Sequence, residues 1–140
     1  MKATELRIGN LVASGANQKN IETWVIGKVH SISCLDSQFE QIEVETEEEF
    51  TWFFKDNYFG IPLTEEWLVK FGFDQNNVDI EKYDCKWYKF SFTLDYWNAQ
   101  KFFVYGYIGG NKTIKHVHQL QNLYFALTGE ELTLKEKQDA

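Results

Sequence analysis

The chain has 140 residues, 44% hydrophobic and 25% charged, which is the composition of a folded domain and excludes wholesale disorder. Fourteen Lys and Arg stand against 21 Asp and Glu, and the net charge of −7 opposes binding that works by neutralising phosphates or an anionic bilayer. Twelve Phe, seven Tyr and five Trp supply more ring surface than one core of this size hides, which predicts that some rings face water or a partner.

Met1 to Arg7 lacks the apolar stretch of a signal peptide, and no run approaches the roughly 18 apolar residues of a membrane span. The reading is a cytoplasmic protein with no membrane partner. Cys34 and Cys85 are an isolated pair in a chain whose core needs no staple, so they read as free thiols of a reducing compartment. The length predicts a single α+β domain over 1–134, with 135–140 a disordered charged tail.

The first third alternates as strands do. Leu11-Val12 follows a Gly9-Asn10 turn, and Trp24 to Ile32 places Trp24, Ile26 and Lys28 on one face with Val25, Val29 and the other odd positions opposite. Gln41 to Glu45 alternates cleanly. Short strands joined by polar turns suggest a small bent antiparallel sheet, SH3-like in outline, an analogy that carries no function. In the middle, Thr64 is placed to cap a short helix, Glu65 and Glu66 suit its positive end, and Leu63 can staple onto Leu68. Gly72 then supplies the left-handed stop and Phe73 its apolar contact.

Lys86 to Leu94 alternates, with Tyr88, Phe90, Phe92 and Leu94 read as core and Trp87, Lys89, Ser91 and Thr93 as solvent side. Lys101 to Ile108 should pair with it as a hairpin across Asp95 to Gln100. The last element is an amphipathic helix over about Thr113 to Thr128, packed on that hairpin by Ile114, Val117, Leu120, Tyr124 and Leu127 and ended by Gly129. Lys115, His118, Gln119 and Asn122 fall on its polar side.

Three blocks carry a resemblance: Glu5-Leu6-Arg7-Ile8-Gly9-Asn10, Ile61-Pro62-Leu63-Thr64-Glu65-Glu66-Trp67-Leu68, and the run from His118 through Leu132, HQLQNLYFALTGEEL. In this order they resemble a family of small proteins of gut Bacteroidales genomes, their prophages and phages. The resemblance implies a mobile-element or phage setting in a bacterial cytoplasm. It implies no activity, cofactor or catalytic residue.

No complete catalytic signature is present. Gly106 to Thr113 approaches a phosphate-binding loop, but Asn111 stands where the loop needs a glycine before its Lys, so the stretch reads as a turn with Asn111 or Thr113 capping the helix. His116 and His118, two apart on a helix, should point to nearly opposite sides and cannot chelate together. The glutamates at 43, 45, 47, 48 and 49 lack the spacing of a calcium loop and read as a solvated strand end and hairpin. The rings of Trp52, Trp87, Trp97, Phe103, Tyr105 and Tyr107 are the most suggestive set, either a face for a partner or core covered by other elements. The sequence therefore favours a non-enzymatic protein-interaction module with an aromatic face and acidic rim, without metal or cofactor, binding a host or phage protein. Its candidate surface is Trp87, Trp97, Phe103, Tyr105, Tyr107, His118, Gln119 and Asn122. The alternative is single-stranded nucleic acid, disfavoured by charge, or a small ligand on the same rings.

Overall fold

The computed structural model describes residues 5–15, 18–34, 40–54, 57–76, 85–89, 92–97, 101–104 and 113–135. The chain is α+β, with ten strands and two helices among these residues, and it divides into two compact units, Met1–Ile61 and Pro62–Ala140. Each unit is built on its own antiparallel sheet.

The first unit holds β1 (Leu11–Ser14), β2 (Val25–Cys34), β3 (Glu40–Glu45), β4 (Phe50–Phe54) and β5 (Tyr58–Phe59). Their order is β4-β3-β2-β1-β5, a curled half-barrel in keeping with the bent sheet expected from the sequence. Leu6, Val12, Val29, Ile42, Val44, Phe53 and Tyr58 form its core. The Gly9-Asn10 turn is present, and it grips β2: Gly9 N–H donates to the Val29 carbonyl and Val29 N–H to the Asn10 carbonyl, both at 2.8 Å. Asn10 is fully buried, and its Oδ1 accepts from the Arg7 amide at 2.7 Å.

Strict alternation along β2 fails at this grip. Val29 pairs with Val44 and Ser31 with Glu43, so His30 is an extra residue in a β-bulge. Beyond it the parity of the inward face switches, and Ile32 rather than the next odd residue packs on the core. Gly27 serves the curl differently, because a Cβ there would lie 2.6 Å from Val44 Cβ. Val44 occupies the space that any side chain at 27 would need.

The second unit begins with α1 (Glu65–Lys70). Its stop was legible residue by residue: Gly72 has φ +84°, Phe73 N–H donates to Leu68 O at 2.9 Å and Gly72 N–H to Val69 O at 3.0 Å. Those two bonds satisfy carbonyls that the last turn would otherwise leave open. Leu63 and Leu68 are both buried, as a staple requires. Thr64 occupies the N-cap, but its hydroxyl makes no cap bond, contrary to the capping role expected of it.

The sheet of this unit runs β10-β9-β8-β7-β6, from β6 (Asp74–Asn76), β7 (Cys85–Lys89), β8 (Phe92–Trp97), β9 (Lys101–Val104) and β10 (Thr113–Ile114). The stretch 86–94, read as one strand, is two. Lys89 pairs with Phe92 and Trp87 with Leu94, so the chain reverses between Lys89 and Phe92. The next hairpin is present, but Asp95, Tyr96 and Trp97 belong to its strand rather than its turn.

The final helix α2 covers Val117–Thr128, four residues shorter at its start than expected. Thr113 and Ile114 pair with Phe103 and Phe102, and β-branched residues suit that ladder better than a first helical turn. His116 is the N-cap, in place of Asn111 or Thr113. Tyr124 stacks edge-on with Phe73 at 6.5 Å and lies under the Lys89 ammonium of β7 at 5.9 Å, which docks the helix on the sheet. Leu132 is buried beyond Gly129, and Lys135 N–H donates to Lys70 O at 2.7 Å; residues 136–140 lie outside the described residues.

Candidate interaction face and cleft

Two residues of the surface expected from the sequence, Trp87 and His118, are buried. Trp87 is 4% exposed, because its register partner is the fully buried Leu94 and both point into the core of the second unit. His118 is 3% exposed. The buried arc of α2 is rotated toward His118 and Gln121, while Leu127, expected in the stripe, is exposed together with Phe125. Gln119 is committed to the helix start, where its Oε1 accepts from the amides of Lys115 at 2.9 Å and His116 at 3.1 Å. Asn122 is half-buried on α2. Trp97 ends β8 opposite Lys101, and Phe103 lies in β9 between Asp95 and Thr113. Tyr105 and Tyr107 lie outside the described residues.

His116 and His118 also correct an expectation. Their rings stack at 5.5 Å with planes 16° apart, because His116 is extended at the N-cap and only His118 is helical. Among the described residues no three His, Cys, Asp or Glu side chains gather as a metal site. No helix among them is long and apolar enough to cross a membrane.

An aromatic face does exist, in the first unit. Phe50, Trp52 and Phe54 alternate along β4 and are 56%, 40% and 55% exposed, while Phe53 between them is buried. The period of two that sends Phe53 inward sends its neighbours out. Across the sheet they pair with Glu45, Glu43 and Gln41 of β3, so a row of rings borders a row that carries two carboxylates. His30, set outward by the bulge, stacks edge-on with Phe50 at 5.1 Å and lies 3.8 Å from a Glu43 carboxylate oxygen. Trp52 belongs to the ring set singled out in the sequence; its two phenylalanine neighbours were missed, though the Phe-Thr-Trp-Phe-Phe alternation beside a glutamate run was there to read.

The backbone of the same residues points off the edge of the sheet. The hairpin of β4 with β3 closes where Thr46 N–H donates to Glu49 O at 2.9 Å, which makes 46 and 49 an inward-bonding pair. Bonding alternates along an antiparallel ladder, so Thr51 and Phe53 bond to β3 while the amides and carbonyls of Phe50, Trp52 and Phe54 turn away from it. Among the described residues β4 is the outermost strand of that sheet. The Phe54 carbonyl accepts from Asn57 N–H at 2.9 Å, which caps that end of the edge.

A cleft of about 600 Å³ opens at the hairpin end of the same sheet. Phe53 and Val25 give it apolar wall, Thr46 and Thr51 hydroxyls, and Glu48 and Glu49 carboxylates. Ser14 Oγ, also on its wall, donates to the Asn57 carbonyl. The arrangement suits a small polar or cationic molecule.

Burial shifts the ionisation of Lys89 and Tyr124 in the second unit. Lys89 Nζ donates to the Phe71 carbonyl at 2.7 Å, and burial, then the nearby Lys135, pull its pKa below the usual lysine value. Burial, then Glu130, push the Tyr124 hydroxyl above the usual tyrosine value. The ammonium satisfies a carbonyl at the end of α1 and lies over the Tyr124 ring, a role in holding helices and sheet together. No protein-family profile, characterised protein or solved structure matches the chain, and the functional reading rests on this geometry.

Proposed function

We propose that the protein is a non-enzymatic interaction module of a phage or mobile element, and that it binds a host or phage protein with a basic surface through Phe50, Trp52 and Phe54. The observation that carries this reading is the exposed ring row of β4 beside Glu43 and Glu45. Aromatic side chains are enriched at protein interfaces, Trp most of all as an energetic anchor, and an acidic rim steers a basic partner toward them. The resemblance of the three sequence blocks supports the phage or mobile-element setting in a bacterial cytoplasm. A net charge of −7 weighs against nucleic acid.

The test is affinity capture from a Bacteroidales host lysate with the wild-type chain and with the triple variant Phe50→Ser, Trp52→Ser, Phe54→Ser. A protein held stoichiometrically by the first and lost by the second, with circular dichroism unchanged, is the expected result. A partner retained by the triple variant would place the interface elsewhere and sink this reading. The cleft favours a second reading, a small cationic or polyhydroxyl ligand; a ligand whose binding is abolished by Thr51→Val but unaffected by the triple variant would establish it.

A further inference from the structure

We infer that β4 takes up an extended, cationic segment of the partner as an additional strand of the first unit's sheet. The inference rests on the proposed interaction face and goes on to specify how the partner is held. Phe50 and Trp52 present two things at once on one edge: side chains on the exposed face and backbone N–H and C=O groups directed away from β3. An incoming strand bonded to those groups forms ladder pairs with Phe50 and Trp52, and the residues directly opposite share the face that carries the rings. Main-chain bonds then give affinity and alternate side chains give specificity, as in other strand-addition complexes.

Charge selects the occupant. From the added strand to β3 is two strand spacings, roughly 10 Å. A Lys or Arg opposite Trp52 can lay its stem and head across the ring and bring its charge toward Glu43, and one opposite Phe50 toward Glu45. A second copy of this chain would bring another β4 and more carboxylates to the same edge, and like charges there repel. The preferred segment is therefore extended, with cationic residues at every second position and small or apolar residues between. Asn57 closes the Phe54 end, so the pairing centres on Phe50 and Trp52.

The probe is an end-blocked octapeptide of alternating Arg and Val, used on the full chain at physiological ionic strength. Two derivatives of equal charge carry N-methyl groups, one at every Arg and one at every Val. In the bound register the Arg amides face β4 and the Val amides face water, so methylation at Arg should weaken binding about tenfold or more, methylation at Val little. Hydrogen exchange at the Phe50 and Trp52 amides should slow on binding while that at Thr51 and Phe53 stays unchanged. Trp52→Pro should bind more weakly than Trp52→Ala, since both lack the ring but only proline also lacks the donor, and an edge position tolerates proline. Equal binding of the two methylated peptides, with no protection at Phe50 and Trp52, would overturn strand addition and leave the ring-dependent interface standing. No binding of the parent peptide would also overturn it, while the lysate capture decides the interface by itself.

Discussion

Trp52 and Trp87 each sit near the middle of a five-residue strand, and they end in opposite environments. Among the described residues Trp52 lies on the outermost strand of its sheet opposite Glu43; Trp87 lies on an inner strand opposite Leu94. One ring is 40% exposed and the other 4%. Neither outcome follows from hydrophobicity, since the residue is the same. The cross-strand partner and the position of the strand within its sheet decide, because a face is buried as a whole and each strand inherits the fate of the face its register gives it.

Substitution to alanine should separate the two most sharply. Trp87→Ala removes a large buried side chain and should cost about 3–5 kcal/mol, whereas Trp52→Ala should cost under about 1 kcal/mol and register mainly as lost binding. Denaturant unfolding followed by amide exchange in each unit measures both. Similar losses at the two sites would dissolve the contrast.

Gly27→Ala is the next largest expected effect. The new methyl would collide with Val44, so the curl of the first sheet should be lost in part, at a cost of about 1–3 kcal/mol in that unit and with weaker partner binding. A neutral result would show that Val44 moves aside and that the curl does not depend on this approach.

The smallest effect concerns pH and belongs to the second unit alone. Lys89 has a folded pKa below 10.5, so in the window just under 10.5 the unfolded chain holds the proton that the folded chain has released, and stability rises with pH. Tyr124 has a folded pKa above 10.0, so above that value the unfolded chain loses its proton first and stability falls. Lys89→Met should abolish the rise and keep the fall, read by unfolding midpoints across alkaline pH. An unchanged profile would show that Lys89 is as solvated as a surface lysine.

Much of the local structure is legible in the sequence. The stop of α1 at Gly72, the Gly9-Asn10 turn, the hairpin after Glu45 and the end of α2 at Gly129 each rest on the φ preference or hydrogen-bonding habit of one or two residues. The α+β class followed from periodicity. The helix start at Val117 was not legible, since Thr113 and Ile114 fit the helical stripe and only the ladder with β9 claims them for a strand.

The candidate site divides the same way. Surplus rings predicted that some face water, and Phe50, Trp52 and Phe54 do, with Trp52 among the rings singled out. Which rings form the face was a matter of register: the reversal between Lys89 and Phe92 put Trp87 on the face of Leu94, a single extra residue at His30 switched the inward parity of β2, and the period of two along β4 turned Phe50, Trp52 and Phe54 outward while Phe53 went in. Composition and local preference are properties of residues and their near neighbours, so the sequence determined class, charge, turns and where the helices stop. Burial and edge position are properties of pairings between residues far apart in the chain, and only the tertiary structure decided them.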